Sequence, residues 1–512
     1  MTKILNGSEV FYVGRHTMLW IVKKWRKSVI GGLVTRNTND VKIKNSGIYK
    51  LYIFLLERMF SLLAGFSEKL STAIEGSFIL SQCLKCGRYL AAAFKGSFLC
   101  LVLEKCLEIE FNFANVKVHQ LLVFLVVIAA PIVPTMVNAV LIFAALVFYL
   151  IDCARGNTSF RLEGTGFLVL SLISIFGFYA VTSLSPVSSV KIWLIYTVFM
   201  LFFFLVINTA ATMDKLTKLA AAFTASGLLV SLFGIYQRFF GSNEGHAWLD
   251  DDMFTGITMR VYSTLENPNV LGEYLLLAIP ICAALLWTRK TVLSKLFYGG
   301  TLGAMLICMV FTMSRGCWVG LLLAAAVFAV FTDWRLVAFG AVCIFLLPFM
   351  LPESIIMRFT SIGNVTDTST SYRVFIWLGT LNMLKDFGIY GIGLGSSAYN
   401  KIYPFYSYSS IHAPHAHNIY LQLLCETGAV GLLTLILTVV TACKKMLLTR
   451  IQRKKTFPAI LAISVIAGLL GFMLQGAFDY VWYNYRVFLM FWMVMALGVA
   501  TRRVKAEAGE KK

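Results

Sequence analysis

The chain has 512 residues, of which 58% are hydrophobic and only 14% charged, and its mean hydropathy is +0.77. Soluble globular domains carry about 25% charged residues, so a chain this apolar cannot keep its surface wet, and a soluble enzyme or binding module is excluded. The net charge of +20 does not point to nucleic acid. The basic residues sit mostly in the N-terminal segment and in short loops between apolar runs, with no basic patch interleaved with aromatics. That distribution suits membrane orientation and anionic lipid.

Residues 1–117 contain no clean apolar span. Short stretches such as Leu51–Leu56 and Phe98–Leu103 are interrupted by Lys, Arg and Glu. Helical spacing of the apolar residues against the basic ones predicts amphipathic cytoplasmic or interfacial helices that bind membrane lipid. Residues 17–22 are apolar, but Lys23, Lys24, Arg26 and Lys27 follow at once, the wrong order for a cleavable signal peptide. The 11 cysteines lie mostly in or beside apolar stretches, and Cys83 and Cys86 form a lone CxxC, so they read as small buried hydrophobes.

Residues 118–501 predict an all-α polytopic membrane protein. Apolar runs near 119–136, 137–153, 166–184, 190–209, 217–239, 268–287, 295–313, 317–332, 335–351, 418–442, 458–477 and 485–501 make about twelve spans at roughly 20 residues each. Arg155, Arg161, Lys215, Lys218, Arg289, Lys290, Lys295, Arg335, Lys444, Lys445, Arg450, Arg453, Lys454, Lys455, Arg502, Arg503 and Lys505 then all fall on one side. That side is expected to be cytoplasmic and to hold both termini, with 502–512 as a tail. The opposite loops differ. Residues 240–267 carry Glu244, Asp250, Asp251 and Asp252, and 352–417 form a long extracytoplasmic loop rich in Gly, Ser and Tyr. A loop of that length is functional or disordered, and the apolar periodicity around Tyr372–Leu384 argues for order and a short helix.

Three features converge on the outward face: Arg260 before the sixth span, Ser314-Arg315-Gly316 in the turn between the seventh and eighth, and His415-Ala-His417-Asn418 at the start of the tenth. Arginine offers a planar fork of donors that matches phosphate oxygens, so two arginines can clamp a diphosphate. A histidine can take a proton from a hydroxyl at neutral pH. A clamped leaving group plus a base describes transfer from a diphosphate lipid to an alcohol, with no metal required if the arginines neutralise the developing charge. Simpler readings stand beside this one. Arg260 and Arg315 can be snorkelling residues, although Lys and Arg are otherwise scarce on that side. His417 and Asn418 can be a helix start. His412, His415 and His417 can be metal ligands, but no carboxylate or Cys accompanies them in sequence. The Gly391-Ile-Gly393-Leu-Gly395 run reads as turn chemistry, since it neither follows a Rossmann-type strand nor opens a clear helix. Asp479, Tyr480 and Tyr483 can line a sugar site or form part of an aromatic belt, and the belt is the simpler reading.

Together these motifs resemble the O-antigen ligase and O-antigen polymerase superfamily of bacterial polysaccharide assembly. The resemblance rests on Arg260 followed by Glu266-Asn267-Pro268-Asn269-Val-Leu-Gly272; on Thr312-Met-Ser314-Arg315-Gly316-Cys-Trp318; on Arg373, Trp377 and the Gly391–Gly395 run; and on His415-Ala-His417-Asn418-Ile-Tyr420-Leu-Gln422 continuing to Glu426-Thr-Gly428 and Gly431. It covers roughly 119–500; residues 1–117 have no counterpart in it. It implies a cofactor-free membrane glycosyltransferase that moves a glycan from an undecaprenyl-diphosphate carrier to an acceptor hydroxyl, with inversion, on the outer face of the bacterial cytoplasmic membrane. By that resemblance His417 is the base and Arg260 and Arg315 hold the diphosphate, with Asn418, His415, Arg373, Asn267 and Asn269 as possible support. The partners implied are the lipid-linked glycan and a glycan, lipid or protein acceptor. A repeat-unit polymerase of the same superfamily is the alternative. A lipid-linked sugar transporter is the competing class, and it would place charges inside the spans rather than at one face.

Overall fold

The computed structural model describes residues 45–55, 57–58, 61, 78–112, 116–158, 160, 162, 164–241, 259–350, 355–356, 360, 368–408, 410–453 and 456–504. Arg161, Glu244, Asp250, Asp251, Asp252, Lys454, Lys455 and Lys505 lie outside them, as do residues 1–44 and 62–77 of the N-terminal segment. The chain divides into two units, 1–57 and 58–512. In the first, residues 47–55 are helical.

The described residues of the second unit are helical, with no strand among them. Helix α1 is Phe78–Lys95 and α2 is Phe98–Leu107; then come α3 Val118–Ala129, α4 Thr135–Ala154, α5 Gly164–Val181, α6 Pro186–Thr209, α7 Met213–Phe240, α8 Pro268–Thr288, α9 Val292–Phe311, α10 Arg315–Thr332 and α11 Arg335–Met350. Helices α12 Thr368–Phe387 and α13 Ser396–Ile402 belong to the long loop, and α14 Ile419–Arg453, α15 Phe457–Gln475 and α16 Tyr485–Ala500 complete the chain.

Nine of these, α4 to α10 with α14 and α15, are long and apolar enough to cross a membrane. The chain is therefore a polytopic membrane protein. The other three expected spans are shorter. Helix α3 has 12 residues and rises only about 18 Å, because the chain breaks at Ala129 ahead of Pro131 and Pro134. Helices α11 and α16 have 16 residues each.

Helices α8, α15 and α16 are buried along almost their whole length and form the centre. Helix α10 lies directly on α15: a Cβ on Gly320 would sit 2.6 Å from the Gly471 carbonyl oxygen, and one on Gly471 would sit 2.5 Å from that of Gly320. Glycine at both positions lets the two backbones touch, the usual device where lipid supplies no hydrophobic drive between helices.

The two ends of the bundle are built differently. At one end, arginines satisfy the carbonyls that helix C-termini leave open. Arg450 donates from Nε and Nη2 to the Phe331 carbonyl at 3.0 and 2.8 Å, and Arg503 Nη1 reaches that of Ile207 at 3.3 Å. Helix α2 docks at the same end, where the Glu108 carboxylate accepts from the Lys290 and Thr291 amides at 3.1 and 2.6 Å. At the other end, loops pair with one another through their backbones. The Val261 amide donates to Phe311 at 3.0 Å, Leu184 to Ile392 at 3.1 Å and Ile419 to Gly476 at 2.8 Å.

The long loop is ordered over its described part and carries a small core of its own, which includes Ile376, Met383, Tyr399, Tyr403 and Ala416. The short helix expected near Tyr372–Leu384 is the 20-residue α12. The glycine run does turn the chain: Gly391, Gly393 and Gly395 have φ of 67°, 101° and 87°. It lies as a strap across α14, whose helix is interrupted at Gly428 (φ 60°). That break leaves carbonyls of the preceding turn open, and the Ile392 and Gly393 amides donate to Cys425 and Glu426 at 2.7 and 3.0 Å. A Cβ on Gly428 would sit 2.2 Å from the Ile389 carbonyl oxygen, so no other residue fits there.

Candidate active site

The loop end gathers the residues that the sequence singled out. Helix α12 grips the segment before α14: the Tyr372 hydroxyl donates to the His412 carbonyl at 2.7 Å and Trp377 Nε1 to that of His417 at 3.2 Å. His417 is thereby held in the left-handed region, at φ 45°, where a non-glycine residue persists only if its surroundings fix it. Asn418 then starts α14, its Oδ1 accepting from the Tyr420 and Leu421 amides at 2.9 and 3.0 Å while its Nδ2 donates to Ala477 at 2.9 Å. Asn267 does the same for α8, accepting from the Asn269 amide at 2.8 Å. Both asparagines are helix caps.

The centre of the cluster is Asp479, in the turn between α15 and α16. Its Oδ1 lies 3.0 Å from His417 Nδ1. Its Oδ2 accepts from Asn269 Nδ2 at 3.1 Å and lies 3.5 Å from Arg373 Nη2. Burial pushes the Asp479 carboxyl up, but the His417 hydrogen bond, the Arg373 guanidinium and the two neighbouring imidazoles outweigh it and hold it well below the usual carboxylate range. Asp479 is thus ionised and can only accept hydrogen bonds. His417 Nδ1 must then carry the proton in this pair, which leaves Nε2 with the basic lone pair. The aromatic-belt reading of this turn misses that role.

His415 is buried behind His417, with ring centroids 4.2 Å apart, and its Nδ1 accepts from the His417 amide at 3.3 Å. Burial first, with the proximity of His417 adding to it, pushes the His415 imidazole down to about 3. It is neutral at pH 7 and acts as packing and as an acceptor. The described contacts give it no catalytic geometry of its own.

The arginines approach from the other side. Arg260 is buried, and donates from Nε to the Thr312 carbonyl at 3.0 Å and from Nη2 to Asn269 Oδ1 at 2.8 Å. Asn269 therefore bridges Arg260 to Asp479. Arg315, half-buried, is the first residue of α10, where the helix dipole adds partial positive charge. Two residues on, Cys317 Sγ lies 3.7 Å from the Asn269 carbonyl oxygen, which sets this helix start against the same asparagine. Beside it, the Gln475 side chain of α15 lies against Gly316, where a Cβ would meet its Oε1 at 2.0 Å.

Arg260, Asn269, Arg373, His415, His417 and Asp479 are thus joined by direct contacts, and Arg315 opens the helix whose Cys317 touches Asn269. The arrangement offers an oriented base on one side and a cationic group on the other. The O-antigen ligase family model matches residues 300–436. This stretch holds Arg315, Arg373 and His417 and supports the superfamily resemblance read from the motifs; Arg260 and Asp479 stand outside it. No curated protein matches the chain.

Proposed function

With the O-antigen ligase superfamily as premise, we propose that this chain is a metal-independent, inverting glycosyltransferase. In this reading it moves a glycan from an undecaprenyl-diphosphate carrier to an acceptor hydroxyl. The observation that carries it is the 3.0 Å pair between His417 Nδ1 and ionised Asp479, which leaves Nε2 as the nitrogen open to a proton. The acceptor hydroxyl gives its proton to His417 Nε2 as its oxygen attacks the anomeric carbon. The bond from that carbon to the diphosphate oxygen breaks on the opposite face, so configuration inverts. The electron pair leaves with the carrier diphosphate, whose charge Arg260 and Arg315 neutralise. Asp479 stabilises the imidazolium that forms.

The arginine-capped end is then cytoplasmic by the excess of Lys and Arg there. In this reading both termini lie inside, the site faces the outer side of the cytoplasmic membrane, and the basic segment 1–117 binds the inner lipid surface.

The test is transfer by purified full-length protein from a lipid-diphosphate glycan to candidate acceptors, with and without chelator. His417→Ala is expected to abolish transfer while the protein remains in the membrane, and chelator is expected to have no effect. Full activity of that variant overturns the base assignment, and loss of activity on chelation overturns the metal-independent mechanism.

A further inference from the structure

Beside the His417–Asp479 pair, at the same end of the bundle, lies a separate cavity of ≈ 670 Å³, within the range of ordinary ligand sites. Its walls include Tyr196, Tyr480, Trp482, Tyr483 and Tyr485. Two of these reach the catalytic cluster: the His415 ring lies 5.4 Å from that of Tyr480 and 4.9 Å from that of Tyr483. One imidazole therefore separates the cavity wall from His417.

The charges on the lining cancel. Among its residues only Glu266 and Arg486 are charged, and Arg486 Nη2 donates to Glu266 Oε1 at 3.1 Å while its Nη1 is held by the Thr264 carbonyl at 2.9 Å. A diphosphate site needs cationic charge in surplus; that surplus lies with Arg260, Arg315 and Arg373. What remains is an aromatic lining in which Tyr483 is exposed and Tyr196, Tyr480 and Trp482 are buried behind the surface. The Tyr196 and Tyr480 hydroxyls lie 3.3 Å apart, and the latter donates to the buried Glu426 at 3.4 Å. Such walls match the apolar C–H faces and polar rims of sugar rings.

We propose that this cavity is a subsite for an uncharged glycan segment, holding the sugar chain of the donor or the acceptor so that its reacting end lies at His417. The proposal rests on the glycosyl-transfer reading and adds the position and chemistry of a glycan site.

Two variants test it in the full-length protein. Thr135→Trp fills the cavity from the first turn of α4, and Tyr483→Ala removes an exposed part of the wall. A panel of neutral tetra- to hexasaccharides, with uronate-containing counterparts of equal length, is titrated against each protein. At least one neutral oligosaccharide is expected to bind the wild type, and its Kd to rise about tenfold in both variants; the uronate forms are expected to bind more weakly. In turnover, the donor glycan is titrated at saturating acceptor and the acceptor at saturating donor. The arm whose KM rises about tenfold at unchanged kcat names the glycan that occupies the cavity. The absence of neutral-oligosaccharide binding, or a KM unchanged in both arms, overturns the proposal. If the wild type transfers no glycan, the transfer reading falls, and the binding titration still decides the cavity.

Discussion

Asp479→Asn isolates the electrostatic half of the dyad, because it changes one atom and keeps the shape. The His417 Nδ1 to Asp479 Oδ1 distance is 3.0 Å, which puts the charge centres about 4 Å apart when the imidazolium forms. At an effective dielectric near 20 that interaction is about 4 kcal/mol. Arg373, 3.5 Å from the other carboxylate oxygen, takes part of the negative charge, so about 2–4 kcal/mol remains to stabilise the transition state. At about 1.4 kcal/mol per factor of ten, kcat is expected to fall about 30- to 1,000-fold. The asparagine amide can also turn an N–H toward Nδ1, which moves the imidazole proton to Nε2 and removes the base. The assay is steady-state transfer in proteoliposomes, with kcat and KM separated and the amount of monodisperse protein matched. A KM near wild type with low kcat is expected. A kcat within about threefold of wild type would refute the argument and return Asp479 to a structural role.

Three further outcomes follow from other contacts. Arg315→Lys keeps the charge but not the bidentate fork, and is expected to lower kcat about 100-fold; wild-type turnover would make Arg315 an electrostatic or topological residue only. His415 titrates at about 3 in the folded protein against a reference of 6.5. Between those values the unfolded chain binds the extra proton, so its contribution is complete above pH 6.5 and is lost as pH falls, at about 1.4 kcal/mol per unit. Thermal unfolding in detergent from pH 7 to pH 5 reads this slope, and His415→Asn is expected to flatten it. Gly320→Ala puts a methyl against the Gly471 carbonyl and is expected to cost about 1–3 kcal/mol, visible as a lower Tm; an unchanged Tm would mean that α10 and α15 separate easily.

The apolar runs made the long helices legible, because lipid demands continuous hydrophobic length. They ran past Ala129, where Pro131 and Pro134 end α3, and did not show that α14 is broken at Gly428, which depends on backbone hydrogen bonds from the glycine strap. Arg260, Arg315 and His417 stood out as polar groups at one face, and Asn269 and Asp479 connect the first and last of them. Asp479 did not stand out, because its neighbours Phe478, Tyr480 and Trp482 made the turn read as an interfacial belt. A signal was present: Asp479 is the only Asp or Glu between Glu426 and Glu507, and a lone carboxylate in so apolar a stretch is a functional candidate by default. The helix-start reading of Asn418 holds, but adjacency in sequence did not tell Asn267, which caps α8, from Asn269, which bridges Arg260 to Asp479.

The interruption of α14 at Gly428 has a mechanical consequence. In an unbroken helix each residue turns the chain by about 100°, so any rotation of the membrane shaft would swing His417 out of reach of Asp479. Helices tilt as bilayer thickness changes. With the glycine strap stitched across the gap, the start of α14 takes its bearing from the loop as well as from the shaft below it.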